Sequence, residues 1–124
     1  MNYSNPVELD RAVADDMAAV SSRSMDLMII EMRKLDRDRD RVLIVATVET
    51  SLEKYHIPLK PAYRDVLLER FKDNQDFLGM INYEELVRYL EERRLEGGKV
   101  MVSKVENFIL HETEHNKARY KRNK

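Results

Sequence analysis

The sequence predicts an all-α domain, and three observations carry that reading. Apolar residues recur at helical spacing along most of the chain. Hydrophobic residues make up 43% and charged residues 36%, the balance of a small helical domain with a heavily charged surface. Three glycines and three prolines in 124 residues exclude collagen-like and low-complexity chains. The length suits a single domain.

The elements follow in order. Asn5-Pro6-Val7-Glu8 is a helix start: Asn5 can cap, Pro6 suits the first helical position and Glu8 can complete a capping box. Leu9, Val13, Met17 and Val20 then form a helical stripe. Ser21, Ser22 and Ser24 either break this helix or let it run on into a second stripe, Met25, Met28, Ile29, Met32 and Leu35. Asp36 to Arg41 alternates acid and base. Val42 to Val45 is β-branched-rich, and reads as a short strand or the start of a helix. Val48, Leu52 and Tyr55 continue as a helix, stopped at His56-Ile57-Pro58 because a residue before proline disfavours the helical region. Pro61 opens a helix carrying Ala62, Val66, Leu67 and Phe71. Asp73 to Gly79 is a loop. Ile81 to Leu90 is helical, with Tyr83, Leu86, Val87 and Leu90 on one face, and Gly97-Gly98 is the expected stop. Val102, Val105, Phe108, Ile109 and Glu112 predict a last helix, followed by a basic tail.

The core of this pattern is helix, acidic loop, helix, short link, helix, polar loop, helix. Its chemistry lies in the two loops. The first carries Asp36, Asp38 and Asp40 at alternate positions, then Leu43. The second ends Gly79-Met80-Ile81, with Glu85 four residues on. Helix, acidic loop, helix in tandem resembles the EF-hand plan, in which a 12-residue loop gives oxygen ligands from positions 1, 3, 5, 7, 9 and 12 and turns at a glycine in position 6. Against that plan, loop one has its acidic start but Arg41 where the glycine belongs and Thr47 where the bidentate Glu belongs. Loop two has Gly79, Ile81, Glu85 and Leu86 in place, with Asn74 and Asp76 at its start and Leu78 where an oxygen ligand is needed.

Each loop thus keeps a different half of the motif. The chain from about Met25 to Glu92 resembles a degenerate EF-hand pair. It is similar to the divergent repeats of some large cilia- and sperm-associated EF-hand proteins, through Ile57-Pro58-Leu59, Arg70-Phe71 and Asn82-Tyr83-Glu84. Together with the flanking stripes, this divides the chain into a helix at 1–24, the pair at 25–95, a further helix at 96–117 and a tail at 118–124. The resemblance also implies a minimal two-strand contact between the loops, at Leu43 and Ile81. The calcium ligands it implies are Asp36, Asp38, Asp40, Asn74, Asp76 and Glu85. A partner groove would be lined by Met25, Met28, Met32, Leu52, Leu67, Phe71, Leu86 and Leu90.

Two further motifs carry chemistry. His111-Glu112-Thr113-Glu114-His115 matches H-E-x-x-H, which on a helix can hold zinc. A catalytic zinc needs a third protein ligand, and Asn116 to Lys124 contains no His, Asp or Glu. Lys117, Arg119, Lys121, Arg122 and Lys124 make the tail basic, suited to an acidic protein surface, to nucleic acid or simply to solvent.

Several classes are disfavoured. With 22 Lys+Arg against 23 Asp+Glu the net charge is −1, without the basic excess of a dedicated nucleic-acid binder. The absence of cysteine removes disulfides and thiolate chemistry. Glu8, Asp10, Asp15 and Asp16 leave no apolar signal core, so a cytoplasmic protein is expected, and the resemblance adds a cytoskeletal or ciliary setting. The expected function is non-catalytic protein–protein interaction, calcium-independent or weakly calcium-binding. Its partner would be an amphipathic helix or an acidic protein surface, with no membrane and no cofactor other than Ca2+. A calcium-responsive switch is the alternative, and a zinc hydrolase at 111–115 the remote one.

Overall fold

The computed structural model describes residues 3–73 and 79–99. Over these residues the chain is mostly helical, with one two-stranded antiparallel sheet. The expected helix at 102–112, the H-E-x-x-H motif and the basic tail lie outside the described residues.

Helix α1 (Pro6–Met17) begins as its sequence dictates: the Asn5 side chain accepts from the Val7 N–H at 2.9 Å, and Pro6 occupies the first turn. It buries Leu9, Val13, Ala14 and Met17. The serines after it open a second helix. Ser21 Oγ accepts from the Ser24 N–H at 3.1 Å and caps α2 (Ser22–Leu35). Met25, Met28 and Met32 are its buried stripe, whereas Leu35 is 48% exposed, so the apolar face is narrower than the sequence pattern.

Strand β1 (Val42–Leu43) precedes α3 (Val45–Lys54), resolving the ambiguity at 42–45 in favour of a strand that runs directly into a helix. The helix ends at Tyr55. His56 follows in a left-handed conformation (φ 56°), and Ile57 and Leu59 on either side of Pro58 are buried. The link is therefore anchored in the core. Helix α4 (Pro61–Arg70) turns Tyr63, Leu67 and Leu68 inward. Ala62 and Val66, expected on its apolar face, are exposed. The inward face is rotated because the ring of Tyr63 is buried while its hydroxyl reaches Asp16 on α1.

Strand β2 (Ile81–Asn82) pairs with β1, placing Leu43 opposite Ile81. Residues 81 and 82, expected to be helical, are strand. Asn82 instead caps α5 (83–99), its side chain accepting from the Glu85 N–H at 3.1 Å. Gly97-Gly98 does not stop this helix, which runs through both residues. The reason is a close crossing. A Cβ on Gly97 would lie 2.1 Å from the Ala14 carbonyl oxygen and 3.1 Å from the Ala18 Cβ, so only glycine lets the α5 backbone meet α1 there.

All these helices share one core that joins Leu9, Val13 and Met17 to the three methionines of α2, to Leu52, Leu67 and Leu68, and to Leu86 and Leu90. Among the described residues no helix is long and apolar enough to cross a membrane.

The two glycines of α5 should respond oppositely to alanine. Overpacking at a filled site costs roughly 1–3 kcal/mol, which outweighs the gain of about 1 kcal/mol in helix propensity, so Gly97→Ala lowers the urea midpoint. Gly98 faces open space, and Gly98→Ala raises the midpoint by up to about 1 kcal/mol equivalent.

Candidate functional site

Loop one closes around a single carboxylate. Asp36, at the C-terminal end of α2, is 6% exposed. Its Oδ1 accepts from the Asp40 N–H at 3.3 Å and its Oδ2 from the Arg41 N–H at 3.0 Å. The third donor comes from across the sheet: the Tyr83 hydroxyl donates to Oδ2 at 2.7 Å. Burial works to raise the Asp36 pKa, but the hydrogen bonds from Tyr83, Arg41 and Asp40 outweigh it and hold the carboxyl below the usual range. The same geometry, led by burial and then by the adjacent carboxylate, pushes the Tyr83 phenol well above its ordinary value.

Of the other loop-one candidates, Asp40 stays beside Asp36 and accepts from the Val42 N–H at 3.3 Å, while Asp38 is exposed. Arg39 and Arg41 both take left-handed backbone conformations, with φ of 55° and 69°. Arg41 therefore makes the turn that a glycine would make at that position, at a steric cost of roughly 1–2 kcal/mol. The bond from its N–H to Asp36 holds it there.

Loop two turns at Gly79, also left-handed at φ 65°. The end of α4 is drawn onto β2, since the Asn82 N–H donates to the Phe71 carbonyl and the Asp73 N–H to the Met80 carbonyl, both at 2.8 Å. Glu85 sits exposed in the first turn of α5, and Asn74 and Asp76 lie outside the described residues. Among the described residues no three His, Asp or Glu side chains converge as a metal cage. Beside the sheet, Arg33 grips Glu84 through two hydrogen bonds, at 2.8 and 3.0 Å, and that grip lowers the Glu84 pKa. These two residues line a polar cleft of about 360 Å3 with Arg41, Asn82, Glu85 and Arg88.

The eight residues expected to line an open groove are brought together, but not as a groove. Met25, Met28, Met32, Leu52, Leu67, Leu86 and Leu90 are buried, and Phe71 is half-buried against the Tyr89 ring at 5.4 Å. Helix α1 supplies the cover, with Leu9, Val13 and Met17 in the same core. Its polar rim is held by two further tyrosine–aspartate pairs. The Tyr63 hydroxyl donates to Asp16 at 2.6 Å, with Lys60 3.4 Å from the same carboxylate. The Tyr89 hydroxyl donates to Asp10, which also faces Arg70 at 3.4 Å and Arg93 at 3.7 Å. Burial first, and the aspartate second, raises the pKa of each phenol.

Sequence reasoning missed Tyr63, Tyr83 and Tyr89 as polar partners. The available signal was that each tyrosine sits at a helical core position, where a buried hydroxyl needs an acceptor. Comparison with known proteins adds nothing to this geometry: no family model, no curated protein and no solved structure matches the chain.

Two outcomes follow from the loop-one geometry. Tyr83→Phe leaves a buried carboxylate short of a donor and costs about 1–3 kcal/mol at neutral pH. Because the Asp36 pKa is lowered on folding, this contribution is present above the unfolded carboxylate value of about 3.9 and lost as pH falls through the folded one. The gap between wild type and variant in urea denaturation should therefore narrow below about pH 4. Arg41→Gly relieves the left-handed arginine and should raise stability by up to about 1 kcal/mol after the entropy of the unfolded glycine is subtracted.

Proposed function

We propose that the chain is a degenerate EF-hand-like pair that serves as a non-catalytic, calcium-independent protein-interaction module. One observation carries the reading. The carboxylate at the first position of loop one has its charge met by two backbone N–H groups and the Tyr83 hydroxyl, inside a loop pair whose strands set Leu43 opposite Ile81. A cation at loop one would have to displace the Tyr83 hydroxyl and overcome the charges of Arg37, Arg39 and Arg41 in the same turn. Thr47 at the twelfth position offers no bidentate carboxylate. The loops then act as a fixed joint between two helix pairs.

A second reading, a calcium-responsive module, has one supporting observation. In loop two Gly79 keeps the left-handed turn, and the exposed Glu85 carboxylate forms no ion pair among the described residues.

Calcium titration of chelator-stripped protein, followed by backbone amide NMR with magnesium as control, separates the two. The proposed module shows no specific shift at Gly79, Ile81 or Leu43 up to several millimolar, roughly the weakest range of EF-hand sites. A saturating downfield shift of the Gly79 amide that Glu85→Gln abolishes would establish the switch instead.

A further inference from the structure

We infer that the face formed by α4 and α5 beneath α1 is a receptor for an acidic amphipathic helix, with α1 as its exchangeable in-chain occupant. This rests on the interaction-module reading above and names the partner's chemistry.

The contacts of α1 spell out the recognition. Apolar side chains four residues apart, Leu9, Val13 and Met17, enter the core. Where α5 crosses at Gly97, the α1 backbone at Ala14 and the small side chain of Ala18 come closest. Acids stand beside the apolar stripe, and the receptor meets each with a phenol and cations. Asp10 lies against Tyr89, Arg70 and Arg93, and Asp16 against Tyr63 and Lys60. The two guanidiniums also lie against the Tyr89 ring, at 5.3 and 5.4 Å from its centroid. At these two contacts the acid belongs to α1 and the cations to the receptor, although Arg93 is shared with Glu96 of α5.

The present occupant does not use the receptor fully. Arg93 pairs with Glu96 of its own helix at 2.9 Å, but its Nε is buried without an acceptor and its nearest nitrogen stands 3.7 Å from Asp10, beyond good hydrogen-bond length. A glutamate at the Asp10 position has one methylene more of reach toward this guanidinium. The recorded bonds from α4 and α5 to α1 run through side chains, with no strand pairing, so exchange breaks no backbone ladder. The favoured partner is a helix with apolar residues at i, i+4 and i+8, a small residue at i+9, and acids at i+1 and i+7, with glutamate preferred at i+1.

Two measurements on the full chain test this. Native-state hydrogen exchange should show the amides of Val13, Ala14 and Met17 opening about a hundredfold more often than those of Leu67, Leu86 and Leu90, as a separate unit. Equal protection would make α1 permanent core and overturn the proposal. A fluorescent peptide of residues 3–20 should then bind the Asp10→Asn/Asp16→Asn chain at least about tenfold more tightly than wild type, and the same peptide with both aspartates replaced should lose about tenfold. An Asp10→Glu peptide should bind more tightly than the parent. Failure of the parent peptide to bind a folded double variant overturns the proposal, as does a double variant that cannot fold, because α1 would then be indispensable. Calcium binding in the titration above would overturn calcium independence while leaving these results to stand on their own.

Discussion

A charged carboxylate buried at the end of a helix must find donors, and in this chain the need of Asp36 organises loop one and ties it to α5. Two of its donors come from its own loop and force Arg41 into a left-handed turn. The third, the Tyr83 hydroxyl, comes from the first turn of α5. That single bond crosses from one helix–loop–helix unit to the other, beside the two-residue sheet that pairs Leu43 with Ile81. So short a sheet contributes little alone. Joined to a charge-assisted bond in a buried setting, it fixes how α2 and α3 meet α4 and α5.

The same chemistry recurs where α1 meets the rest. Tyr63 on Asp16 and Tyr89 on Asp10 repeat the pairing of a buried phenol with a carboxylate. A tyrosine there brings a large apolar ring to the core and a donor to its edge, so one residue serves both packing and polar matching. The aspartates remain half-buried, reached by Lys60, Arg70 and Arg93 from the solvent side. The consequence is a helix seated by apolar burial and oriented by its acids. In that division of labour the apolar stripe supplies the burial and the rim charges set the register of α1.

Glycine also shows how one residue type takes its meaning from its surroundings. Gly79 serves its backbone role, a left-handed turn in loop two. Gly97, expected to stop its helix, lies inside it because a neighbouring backbone occupies the space a side chain would need. Arg41 is the converse, a side-chain-bearing residue held in a conformation that usually selects glycine.

Much of this molecule is local in origin. The caps at Asn5 and Ser21, the proline that opens α4, the stop at His56-Ile57-Pro58, the methionine stripe of α2 and the turn at Gly79 depend on residues a few positions apart. Sequence spacing expresses such effects directly. The pairing of Leu43 with Ile81 was expected from the EF-hand resemblance, and the sheet places these two residues opposite each other. What sequence did not determine depends on groups far apart in the chain: the rotation of α4 that buries Tyr63, the continuation of α5 past Gly97, the closing of the methionine-lined groove by α1, and the three tyrosine–aspartate pairs. Helical periodicity identifies which residues seek burial but not which surface buries them, and a carboxylate's partner is chosen only when the chain brings a hydroxyl within hydrogen-bond reach.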